Sequence, residues 1–73
     1  MLKRGIYKHY KGKEYRVVGV AKHSETHEDL VVYEALYSNN ISGLWVRPLS
    51  MFMEEVEVEG KKQPRFMWIK ETI

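Results

Sequence analysis

This sequence predicts an all-β fold: a small SH3-like barrel of five or six short antiparallel strands with one short helical turn. Three observations lead there. Turn-forming residues recur along the 73 positions, at Gly5, Gly12, Gly19, Asn39-Asn40, Gly43, Pro48, Gly60 and Pro64. The runs between them are short and rich in Val, Tyr and Trp, which is a β signature. Two of the runs carry apolar residues on both faces, and a strongly bent sheet that closes on itself covers both sets.

The elements follow in order. A first strand is expected over Gly5–Tyr10, with Lys11-Gly12-Lys13 as a tight turn. The second runs over Glu14–Lys22, and Gly19 inside it marks a bend or bulge. The third runs over Leu30–Tyr37. Val31, Tyr33 and Ala35 share one face, while Leu30, Val32 and Leu36 share the other with Glu34. Ser38–Gly43 reads as a turn or short loop. The fourth strand, Leu44–Arg47, stops at Pro48, which cannot donate to a ladder. Pro48–Met53 is expected to close into a helical turn, with Met51, Phe52 and Met53 plugging one end of the barrel. The fifth strand, Glu54–Glu59, alternates: Val56 and Val58 face in, and the glutamates face out. Gly60-Lys61-Lys62 reads as a turn, and Arg65–Ile69 as a last extended piece.

Seventy-three residues make one domain, 1–73, with no room for a second core. At the usual stability per residue its total is roughly 4–11 kcal/mol. There is no cysteine, so neither a disulfide nor a thiolate-bound metal staples the fold, and the core must come from aromatic and aliphatic side chains. No signal segment opens the chain and no apolar run reaches membrane-spanning length. A cytoplasmic protein with no membrane partner, a monomer or weak homodimer, is the expectation.

The net charge is only +2, but its layout is uneven. Residues 1–22 hold seven Lys and Arg against Glu14, and residues 23–59 hold eight Asp and Glu against Arg47. One consequence would be a basic face for nucleic acid on the first hairpin. The other is that basic strands lie beside acidic ones and pair with them.

Six polar residues, His23-Ser24-Glu25-Thr26-His27-Glu28, stand between the second and third strands. In an extended chain His23, Glu25 and His27 would point the same way and offer three donors to a divalent ion. No recognised ligand spacing accompanies them, and no metal or cofactor is assigned. The competing expectation is a loop whose Ser24 and Thr26 hydroxyls satisfy nearby backbone groups. Ser24 beside His23 does not make a nucleophile–base pair, because neighbours in a strand point to opposite faces.

Trp45-Val46-Arg47-Pro48 puts Trp45 and Arg47 on one face and Leu44 and Val46 on the other. If the Arg47 face is solvated, the pair suits stacking on a base and clamping an anion. In the alternative, Trp45 packs in the core and Arg47 neutralises Glu25 or Glu34. Arg65-Phe66 repeats the pairing of arginine with an aromatic ring, and Tyr33 is a candidate to line the same groove.

A larger pattern runs through these segments. It opens with Gly5-x-Tyr7-x-His9-Tyr10-Lys11-Gly12, Tyr15 and Ala21-x-His23-Ser24-Glu25-Thr26-x-Glu28. It continues through Val31-Val32-Tyr33, Leu36-Tyr37, Trp45-Val46-Arg47-Pro48, Met51-Phe52 and Arg65-Phe66. Together these resemble the small bacterial family known as domain of unknown function 1653. The resemblance implies a compact, mostly β, bacterial cytoplasmic protein and carries no activity, cofactor or partner. His27 and Asp29 depart from the family pattern, which has an apolar residue and a proline there, and this speaks against His27 as a metal ligand.

The expected function is a noncatalytic binding module for nucleic acid or a nucleotide. His23, Ser24, Glu25, Thr26, Tyr33, Trp45, Arg47 and Arg65 are its candidate binding residues. The alternatives are a module that binds a protein or peptide, and a metal-binding protein or hydrolase built on the His23–Glu28 loop. His23, Glu25 and Arg47 are expected to lie together beside an exposed edge of Trp45.

Overall fold

The structure, a computed structural model, describes residues 2–38 and 43–72. Seven strands and one helical turn are present among them: β1 (Gly5–His9), β2 (Glu14–Lys22), β3 (Asp29–Ala35), β4 (Leu44–Pro48), α1 (Leu49–Phe52), β5 (Glu55–Val58), β6 (Lys61–Pro64) and β7 (Phe66–Lys70). The all-β class and the single helical turn are as the sequence predicts. Most of the expected Ser38–Gly43 loop lies outside the described residues.

Five strands form an antiparallel sheet in the order β4-β3-β2-β1-β7, and β5 and β6 form a separate hairpin. The expected barrel closure is not made by backbone, since no ladder joins the edge strands β4 and β7. Side chains span the gap instead. Phe52, at the end of the turn after β4, stacks on Phe66 of β7 with ring centroids 4.1 Å apart and planes 6° from parallel.

Gly19 sits where the β2–β3 register shifts, between Val17 and Gly19. Val18 is the extra residue of this bulge, and Val17, paired with Tyr33, is buried on the same inner face as Val31. The buried core is Tyr7, Val17, Val31, Tyr33, Phe52 and Phe66, with Tyr15, Trp45 and Trp68 packed against it. Pro48 ends β4, and the Met53 N–H closes α1 on the Leu49 carbonyl at 3.0 Å. Of the expected plug only Phe52 is buried, while Met51 and Met53 remain exposed.

The strand missed by the sequence reading is β6. Its residues, Lys61-Lys62-Gln63-Pro64, have no apolar alternation. The turn is one residue earlier, at Glu59-Gly60, where both φ angles are positive, 52° and 78°. Such a two-residue turn matches the twist of a hairpin and sends Lys61 and Lys62 into the strand opposite Val58 and Glu57. Arg65 ties the hairpin's base with a 2.7 Å ion pair to Glu54 and a backbone bond to the Glu54 carbonyl. The basic and acidic segments meet elsewhere too, as Arg16–Glu34 and Lys22–Asp29. No described helix is long and apolar enough to cross a membrane.

Candidate functional site

Register decides which residues share the inner face. Trp45 lies opposite Tyr33, and Arg47 opposite Val31. Tyr33 and Val31 are buried, so Trp45 and Arg47 point into the fold and Leu44 and Val46 face solvent. Of the two arrangements open to β4, this is the one in which Trp45 packs against the core, though Arg47 pairs with neither Glu25 nor Glu34 among the described ion pairs. An arginine is tolerated on the inner face because its stem packs while its head finds polar and aromatic partners.

Those partners are specific. Arg47 Nε donates to the Tyr33 hydroxyl at 3.4 Å, and its guanidinium carbon lies 5.5 Å from the Phe66 ring centroid. Around Phe66 stand His9 at 4.9 Å, Tyr15 at 5.7 Å and Tyr33 at 5.7 Å between ring centroids. Tyr15 in turn shares a hydroxyl–hydroxyl bond of 2.9 Å with Tyr37, over which the Lys13 ammonium sits 5.0 Å from the ring centroid. His9, Tyr15, Tyr37, Trp45, Arg47 and Arg65 are all half-buried, so the cluster forms part of the surface rather than an enclosed core.

The electrostatics of the cluster are cationic. Burial, then the charges of Arg47, Arg65 and Lys11, push the His9 imidazole below its ordinary pKa and keep it neutral. Its Nδ1 accepts the Lys11 N–H at 3.1 Å, so the neutral ring carries its proton on Nε2. Burial and the Tyr37 hydroxyl bond push the Tyr15 phenol up to about 12, against a smaller opposing pull from Arg47. Two donors, Arg65 Nε and Trp45 Nε1, are buried without a hydrogen-bond partner among the described residues. An unmet donor costs about 1–3 kcal/mol, so each favours any acceptor brought within reach.

The structure thus brings Tyr33, Trp45, Arg47 and Arg65 to one face. It sets His23, Ser24, Glu25 and Thr26 in the β2–β3 turn. There the imidazole serves its own loop: His23 Nδ1 accepts the Glu25 and Thr26 N–H groups at 3.1 and 3.3 Å. Thr26 Oγ1 accepts the Glu28 N–H at 3.3 Å, and the His27 N–H closes on the His23 carbonyl at 2.9 Å. No described ion pair joins Glu25 to Arg47. Val20, Val31 and Arg47 form one cross-strand row, and His23 lies three residues beyond Val20. Standard strand spacings then put His23 and Arg47 on the order of 14 Å apart between α-carbons. The expected convergence of His23 with Arg47 is replaced by convergence of His9 with Arg47. No described group of three or more His, Cys, Asp or Glu side chains is placed to hold a metal.

His9, Tyr15, Tyr37 and Phe66 belong to the cluster and were not among the candidates. A signal existed for two of them. A tight turn at Gly12 folds the first hairpin so that Tyr7 faces Tyr15, which puts His9 two residues further along that same face.

Comparison with known families bears on this arrangement. The family model described as "Protein of unknown function (DUF1653)" matches residues 5–68. The chain belongs to this family. A crystal structure of a DUF1653 protein from Bordetella bronchiseptica is similar to it, with 35% identity, a TM-score of 0.92, and coverage of 99% of this chain and 92% of that one. No curated protein matches the chain. The DUF1653 match takes in the site face from His9 to Phe66, and its description names no ligand.

Proposed function

We propose that this DUF1653 protein is a noncatalytic binding module for a nucleotide, free or within a single strand of nucleic acid. One observation carries the proposal: two arginines and a neutral histidine meet tyrosine, tryptophan and phenylalanine rings on one half-buried face. Aromatic rings with an accessible face stack on bases with little regard to sequence, and guanidinium groups take the anionic backbone. Small, bent β-sheets of SH3-like shape commonly bind at such a face. A bacterial cytoplasm supplies ligands of this kind, and the cysteine-free sequence suits it.

The test is titration of labelled random single-stranded RNA and DNA against wild-type protein and Arg47→Ala at low and high salt. Binding at low salt that weakens with salt and is lost in the variant supports the proposal. No affinity at low salt removes the single-strand form of the proposal and leaves only a free nucleotide, because the phosphate contribution is greatest there.

A second reading, as a peptide-binding module, has its own observation. A groove of about 440 Å³ lies beside the edge strand β7, lined by Tyr7, Phe52, Met53, Phe66, Met67 and Trp68 among others. An extended peptide could add to β7 and place an apolar side chain there. Capture of protein that survives nuclease treatment would favour this second reading.

A further inference from the structure

Resting on the nucleotide reading, we propose that the anionic group recognised at this face is a phosphate ester seated against Arg47, Arg65 and His9, and that His9 takes up a proton when it binds.

Among the described residues Arg47 spends only Nε, on the Tyr33 hydroxyl, and no described carboxylate pairs with its guanidinium. A planar guanidinium with unspent donors matches two phosphate oxygens at once. Arg65 gives one terminal nitrogen to Glu54 at 2.7 Å, and its Nε is among the unpartnered donors. Glu54 neutralises part of the Arg65 charge, so Arg47 is the stronger anchor. His9 adds an Nε2 proton, since Nδ1 is already occupied by the Lys11 N–H. One guanidinium fork suffices for a carboxylate, whereas two guanidiniums and an imidazole suit a group with three terminal oxygens and up to two charges.

The proton uptake follows from what faces His9. From its own strand and turn come Tyr10, with ring centroids 4.6 Å apart, and Lys11; from β2 comes Tyr15, from β4 Arg47, and from the β6–β7 link Arg65 with Phe66 beside it. The charges acting on the imidazole are those of Arg47, Arg65 and Lys11, and all three oppose its protonation. A dianion among them reverses the local field and favours the imidazolium. Binding and protonation then reinforce each other.

The experiment uses the full chain with four probes: adenosine 5′-monophosphate, adenosine, inorganic phosphate, and a short single-stranded oligonucleotide with and without a 5′-phosphate. Expected is binding of the monophosphate at least roughly tenfold tighter than adenosine, the preference charge-assisted hydrogen bonds confer. The His9 imidazole resonances should move to the protonated position in the complex at neutral pH. Calorimetry in two buffers of different ionisation heat should count more protons taken up by wild type than by His9→Gln. The imidazole resonances need no substitution, so they decide the matter even if that variant folds poorly. A gain from the oligonucleotide's 5′-phosphate would assign the site to strand ends, and no gain beside tight monophosphate binding to free nucleotides. Equal affinity for adenosine and its monophosphate, or an unmoved His9, overturns the phosphate seat while leaving nucleotide binding intact. Absence of binding by every probe overturns both.

Discussion

The guanidinium carbon of Arg47 lies 5.5 Å from the centroid of the Phe66 ring, although the two residues sit on the opposite edge strands of the sheet. The contact spans the same gap that Phe52 closes with its ring. An arginine in this position both fastens the two edges and presents charge at the surface.

Arg47→Ala should therefore cost stability as well as binding. The ring contact and the bond to Tyr33 are together worth about 1–2 kcal/mol. In a domain this small that lowers Tm by roughly 4–16 °C, which thermal unfolding by circular dichroism would show. Arg47→Lys keeps the charge but loses the planar fork, so it should recover part of the stability and little of the binding. An unchanged Tm in Arg47→Ala would mean that the ring contact holds nothing together.

Phe52→Ala should be the most damaging substitution in the helical turn. Phe52 is 1% exposed and its ring packs against Tyr7, Tyr33 and Phe66. Truncating such a ring costs about 3–5 kcal/mol, which approaches the lower end of the whole domain's stability. Collapsed dispersion in the proton spectrum is the expected result. Met51→Ala and Met53→Ala, at exposed neighbours, should stay within about 0.5 kcal/mol of wild type in urea unfolding.

The Tyr15–Tyr37 hydroxyl pair predicts a signature at alkaline pH. The Tyr15 pKa is raised to about 12 from the ordinary tyrosine value of 10.0. The folded protein therefore holds a proton that the unfolded chain releases first. This contribution is fully present below pH 10.0 and is lost as the pH rises toward about 12. Absorbance titration of wild type should show late tyrosine ionisation, to which Tyr7, raised by burial, also contributes, and Tyr15→Phe should remove the part near pH 12. The variant should also lose about 0.5–1.5 kcal/mol, the net worth of one hydrogen bond.

Two glycines that look alike in sequence should respond oppositely. Gly5 has φ +140°, and a β-carbon there would meet the Lys70 carbonyl oxygen and lie 2.8 Å from Trp68 Nε1. Gly5→Ala should disrupt the β1–β7 edge and lower Tm sharply. At Gly19 the nearest atom to a β-carbon is the flexible Arg4 guanidinium at 3.9 Å. Gly19→Ala should be nearly neutral despite the bulge. Equal losses in the two variants would show that backbone crowding at Gly5 is not what selects glycine.

Much of the fold is legible in the sequence because it depends on local pattern. The short valine-rich run from Glu14 to Lys22 and the break at Pro48 set β2 and the end of β4, and Gly19 marks the bulge, all before any contact is known. The family is likewise carried by residues spread along the chain from Gly5 to Phe66. β6 is not legible, because Lys61 and Lys62 become strand only through the turn at Glu59-Gly60 and the partner strand it supplies.

For the site, the sequence determined the chemistry and the tertiary structure decided who meets. Arginines beside aromatics were visible at Trp45-Arg47 and Arg65-Phe66. Alternation placed Trp45 with Arg47 but could not say which face of β4 turns inward, since Leu44 and Val46 are as apolar as a core requires. Pairing with Val31 and Tyr33 settled it. The His23 loop held the densest run of polar groups, yet a turn of that length consumes them on its own backbone. His9 stands alone in the sequence, and it joins Arg47 and Arg65 only because the sheet curls until its two edges share the Phe66 ring.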